Sequence, residues 1–90
     1  MKILWTDRGW DDYTYWQADD AKIAKRINEL IRETRRLPFQ GIGKPEPLRY
    51  EMSGWWSRRI NEEHRLIYRV GGSGEAQTLE IASCRFHYGK

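Results

Sequence analysis

Cysteine is nearly absent from this chain. Cys84 stands alone among 90 residues, which excludes an intrachain disulfide and fits a reducing compartment. Long apolar runs are absent too. No stretch approaches the ~18 apolar residues of a membrane-crossing helix, and the opening MKILWTDRGW turns acidic too early for a signal peptide. A soluble, cytoplasmic chain without a membrane partner is expected. Histidine is scarce: only His64 and His87 can readily exchange a proton near neutral pH. No His/Cys/Asp cluster has metal-ligand spacing. The GxxxxGK phosphate loop is missing, and Gly71-Gly72-Ser73-Gly74 leads into a strand rather than a helix. Neither a metal nor any other cofactor is expected. Proline is rare as well, yet two of the three prolines flank one carboxylate, Glu46, in GKPEPL.

Aromatic residues, in contrast, are plentiful. Five Trp, five Tyr and two Phe supply large apolar area from few positions. The length fits one domain, residues 1–90, with one modest core. The net charge of +3 is small, but its distribution is uneven. Asp7, Asp11, Asp12 and Asp19 face Arg8 alone in the first part. Lys44, Arg49, Arg58, Arg59, Arg65, Arg69 and Arg85 mark the second half. Most are arginine, whose planar fork matches phosphate oxygens. Such charges equally suit an ordinary solvated surface.

Lys2–Thr6 reads as a first strand. Thr6 or Asp7 can cap a following helix, on which Trp10, Tyr13 and Trp16 form a stripe better suited to a core than to a ligand. A second helix is predicted from about Asp20, with Ile23, Ile27, Leu30 and Ile31 on its buried face, and Pro38 marks its end. After the Gly/Pro-rich loop Phe39–Pro47 the pattern changes to short strands over 48–52, 55–60, 64–70 and 78–86. The expected fold class is α+β: an antiparallel meander with two helices on one face, in the order β-α-α-β-β-β-β.

In that meander, Leu66, Tyr68 and Val70 share one strand face. Arg65 and Arg69 fall on the other, joined by Arg59 if the preceding turn holds three residues. A three-residue turn at Asn61-Glu62-Glu63 places Arg59 opposite Arg65, whereas a two-residue turn separates them. Two opposed arginines repel, which calls for an anion between them or for carboxylates such as Glu46, Glu51 or Glu63. Metal-free RNA cleavage needs a base, an acid and cations at the phosphate. Glu46 could serve as the base, His87 as the acid, and Arg65 with Arg59 as the clamp. His64, beside a turn, reads as structural, and Cys84 as inert core.

GKPEPL, SGWWSRRINEEHRLIYRV and CRFHY together resemble the YoeB (Txe/YoeB) toxins of bacterial toxin–antitoxin modules, within the RelE-like group. WDDYTYWQADDAKIAKRINELI is similar to the helical half of that family, so the resemblance covers residues 1–88. It implies a microbial-ribonuclease-like fold. It also implies an endoribonuclease, an mRNA interferase that cuts mRNA in the A site of the 70S ribosome and is held inactive by a cognate YefM-like antitoxin. Motif by motif, the catalytic residues it implies are Glu46, Arg65, His87 and Tyr88. Arg49 and Arg59 would hold substrate phosphate, with Arg49 standing where lysine is common. Glu63 would orient an arginine. The Gly71–Gln77 loop looks longer than usual, and Gly89-Lys90 extends past the terminal His-Tyr pair. The sequence leaves the oligomeric state open, a homodimer included. The alternative is a non-catalytic RNA- or protein-binding module on the same fold. A binder, however, has no use for a rigid carboxylate among phosphate-binding arginines. A DNA-binding repressor lacks any recognition-helix signature here.

Overall fold

The computed structural model describes residues 1–87; the Tyr88 assignment, with Gly89 and Lys90, lies outside the described residues. The elements are β1 (Lys2–Trp5), α1 (Asp7–Asp19), α2 (Ala21–Arg36), β2 (Glu46–Pro47), β3 (Trp56–Arg59), β4 (Arg65–Gly71) and β5 (Thr78–Ser83). Single 3-10 turns lie at Tyr50–Met52 and Gly74–Ala76. The five strands form one sheet in the order β1-β5-β4-β3-β2.

The Thr6 hydroxyl caps α1 by accepting from the Gly9 N–H at 3.0 Å and donates to the Ala82 carbonyl at 2.8 Å. Helix α1 then presses onto β5. A Cβ on Gly9 would stand 2.4 Å from the Ile81 carbonyl oxygen, so only glycine fits. The Asp20 carboxylate caps α2 by accepting from Lys22 and Ile23, and the residue before Pro38 closes it. The buried face of α2 carries Ile27, Leu30 and Ile31, which join Leu66, Tyr68, Leu79 and Ile81 of the sheet in one core.

Three expectations are corrected. The sheet is mixed: β1 runs parallel to β5, with Lys2 opposite Thr78 and Trp5 opposite Ile81. The two helices carry the chain from β1 at one edge of the sheet to β2 at the other, and the meander then runs back until β5 reaches β1. Strand β1 thereby covers an edge whose Leu79 and Ile81 are fully buried. Residues 48–52 do not form a strand. The prolines of GKPEPL offer no N–H to a ladder, so β2 is two residues long. Tyr50, at φ 57°, then turns the chain out of the sheet. The aromatic stripe also divides. Trp16 is buried, and its indole N–H donates to the Cys84 carbonyl at 2.9 Å. Tyr13 is half-buried, while Trp10 stays 49% exposed beside Trp5.

Arg58 is fully buried. Its guanidinium donates to the Tyr68 hydroxyl at 3.2 Å, to the Ile42 and Gln40 carbonyls at 2.9 Å each, and to the Leu37 carbonyl. The Tyr68 hydroxyl in turn donates to the Pro38 carbonyl at 2.7 Å. This arginine ties the loop after α2 to the sheet, with its guanidinium nitrogens bonded within the fold. Among the described residues, no helix is long and apolar enough to cross a membrane.

Candidate active site

Three segments meet on the sheet face away from the helices: the GKPEPL loop, the β3–β4 hairpin and the chain after β5. The loop is bolted down at Gly43, whose carbonyl accepts from the Arg59 N–H at 2.6 Å. Gly43 has φ 80°, and a Cβ there would meet Leu30 Cδ2 at 2.9 Å and Arg58 Cβ at 3.1 Å. Lys44 comes next, in the left-handed region at φ 50°. Two prolines then restrict the backbone around Glu46, which pairs with Ser57 in the ladder.

The hairpin has the three-residue turn. The Ile60 N–H donates to the His64 carbonyl at 3.0 Å, and Arg59 stands directly opposite Arg65. Asn61 Oδ1 shapes the turn by accepting from the N–H groups of Glu63 at 2.9 Å and His64 at 2.7 Å. Arg65 Nη1 donates to the carbonyls of Asn61 (2.6 Å), His64 (3.0 Å) and Glu62 (3.2 Å). The side chain is anchored through that one nitrogen. Among the described residues, neither Arg59 nor Arg65 has a carboxylate within salt-bridge distance. Arg69 is different: it pairs with Glu80 at 2.8 Å and lies over Trp55.

The segment after β5 hooks onto the same hairpin. The Arg65 N–H donates to the Phe86 carbonyl at 3.1 Å, and the Phe86 N–H donates to His64 Nδ1 at 2.7 Å. Phe86 sits at φ 67°, a strained conformation for a bulky residue, held by these bonds. Buried His64 packs edge-on to Trp16 and beside Phe86. Burial lowers its pKa most; Arg85, His87 and Arg65 push the same way, and Glu63 opposes them. His64 is therefore the neutral acceptor that fixes the backbone next to His87. His87 is half-buried, with Nε2 3.3 Å from the Glu62 carbonyl oxygen.

Glu46, Arg59, Arg65 and His87 line one cleft of about 230 Å³, together with Lys44 and Ser57. Neither of the last two carries a local motif that marks a site. Strand alternation alone puts Ser57, two residues before Arg59, on the same face. Arg49 lies in an adjoining groove that shares Glu46. Glu63 approaches His64 Nε2 at 3.6 Å rather than an arginine. The Gly71–Gln77 connection is closed by the Gly71–Thr78 pair and a turn at Gly74–Ala76, so it leaves the cleft intact. Cys84 is buried, and burial, followed by Asp12, pushes its thiol up to about 12. Among the described residues, no group of three His, Cys, Asp or Glu side chains could hold a metal ion.

The sequence pattern of the YoeB-like toxins of bacterial type II toxin–antitoxin systems matches residues 5–88. The chain belongs to this family. It is 58% identical over 88 residues to Toxin YoeB of Escherichia coli strain K12, covering 98% of this chain and 100% of that protein. The solved YoeB/ParE toxin from Agrobacterium tumefaciens superposes with a TM-score of 0.93 at 58% identity, covering 98% of this chain and 100% of that one. Staphylococcus aureus YoeB, solved as a dimer and in a heterotetrameric YoeB–YefM toxin–antitoxin complex, gives 0.86 at 43% identity over 98% of both chains. This YoeB-like toxin thus carries its cleft on the fold expected from the resemblance.

Proposed function

We propose that this toxin is a ribosome-dependent endoribonuclease that cuts mRNA in the A site of the 70S ribosome and so stops translation. The observation that carries the reading is the opposed Arg59–Arg65 pair in one cleft with a carboxylate and a histidine. In the reaction, Glu46 takes the proton of a ribose 2′-hydroxyl. The 2′-oxygen then attacks the adjacent phosphorus, and the bond from phosphorus to the 5′-oxygen breaks. His87 gives a proton to that leaving oxygen, and a 2′,3′-cyclic phosphate remains. Arg59 and Arg65, with Lys44 beside them, stabilise the charge gathering on the phosphoryl oxygens. By family resemblance, Tyr88 joins the catalytic group and Arg49 the phosphate contacts.

Residues 1–90 act as one toxin domain in the cytoplasm, where ribosomes are found. A YefM-like antitoxin restrains it, and two copies form a homodimer. The assemblies of the S. aureus relative support both. Primer extension on a translated mRNA after induction tests the reading. Discrete 5′ ends that vanish when translation is blocked are expected. Uncut mRNA would leave a module that only binds.

A further inference from the structure

The groove on the other side of Glu46 is larger than the cleft that holds His87. It encloses about 460 Å³ and is lined by Glu46, Pro47, Leu48, Arg49 and Tyr50. Glu46 is common to both. The chemistry of the two differs. The cleft gathers cations and polar groups, whereas the groove offers an aromatic ring, two apolar side chains and one guanidinium.

Tyr50 is the unusual member. It is 88% exposed, although large aromatics seldom stand so far out. Its φ of 57° is strained for a bulky side chain. The turn that carries it is held by the Met52 N–H on the Arg49 carbonyl at 3.1 Å and the Ser53 N–H on the Tyr50 carbonyl at 3.0 Å. Behind it, the Leu48 N–H donates to the Trp55 carbonyl at 2.9 Å. The ring adds nothing to the core. Strain without a packing gain, at the rim of a site, points to a ligand.

We propose that Tyr50 is the stacking platform of a nucleobase subsite, with Arg49 beside it for the backbone of the same strand. The proposal rests on the ribonuclease reading. In that reaction the ribose facing Glu46 carries both the attacking 2′-hydroxyl and a base. Arg59, Arg65 and His87 take the phosphate and the leaving oxygen on one side of Glu46. The base is left to the other side, where the groove opens and the ring is exposed. An aromatic platform accepts any base, with preference set by stacking strength.

The test is kcat/KM for cleavage on 70S ribosomes programmed with mRNAs that differ in the nucleotide 5′ of the cut. Tyr50→Ala, Tyr50→Phe and Tyr50→Trp are compared with the parent. Tyr50→Ala is expected to lose about 5- to 150-fold, the equivalent of one base–aromatic stack, carried by KM. The difference between purines and pyrimidines should narrow, and the Phe and Trp variants should stay within about threefold of the parent. Equal kcat/KM for Tyr50→Ala would overturn the subsite alone. So would a loss identical for every base, or a loss confined to antitoxin binding. A parent that cleaves nothing would overturn the ribonuclease reading, and the subsite with it.

Discussion

At the scale of single residues, the two histidines have separate tasks. His87 lines the cleft, and His64 lies behind it as the acceptor for the Phe86 N–H. Because burial lowers the pKa of folded His64 below its ordinary 6.5, the unfolded chain binds more protons in the interval between the two values. Its contribution to stability is therefore complete above pH ~6.5 and falls as pH drops toward the folded value. Denaturant titrations between pH 5 and 8 should show this loss in the parent and a shallower one in His64→Gln. Equal slopes would contradict it. The arginines divide in the same way. Arg58 is a buried tie for the loop after α2, while its neighbour Arg59 faces the cleft. Strand alternation predicts opposite faces for the two, but composition does not say which face is buried.

At the scale of elements, the GKPEPL loop acts as a mount. Gly43 holds it against α2 and β3, and the two prolines stiffen the backbone on either side of Glu46. Gly43→Ala should cost about 1–3 kcal/mol through crowding and the unfavourable φ. It should also slow cleavage by displacing Glu46. Chemical denaturation and a cleavage assay on the same variant check both, and unchanged stability would refute the anchoring. Most of this was legible in the sequence. The cap of α1 and the buried Ile27, Leu30 and Ile31 of α2 arise from local patterns, whereas the choice of a three-residue turn, which sets Arg59 opposite Arg65, is made by pairing across the hairpin. The illegible features depend on distant partners. The parallel pairing of β1 with β5 joins the two ends of the chain, Lys2 opposite Thr78, and the exposure of Trp10 depends on how α1 packs against the sheet. The 48–52 stretch reads as a strand until Tyr50 breaks its extended backbone. The hook that brings His87 to the hairpin depends on His64 and Phe86, 22 positions apart.

At the scale of the whole molecule, helices and core occupy one sheet face, and the cleft opens on the other. Glu46 comes from β2, Arg59 from β3, Arg65 from β4 and His87 from the segment beyond β5. No two of these four are adjacent in sequence, so the fold itself assembles the site and preorganises it. Removing one cleft side chain should stop the chemistry without unfolding the protein. The most direct measurement is the rate of mRNA cleavage on purified 70S ribosomes by Arg65→Ala and His87→Gln, with antitoxin affinity measured on the same preparations. Cleavage should fall by at least about 100-fold in each, while both variants bind antitoxin nearly as the parent does. Cleavage at the parent's rate by either variant would contradict the assignment of this cleft as the active site.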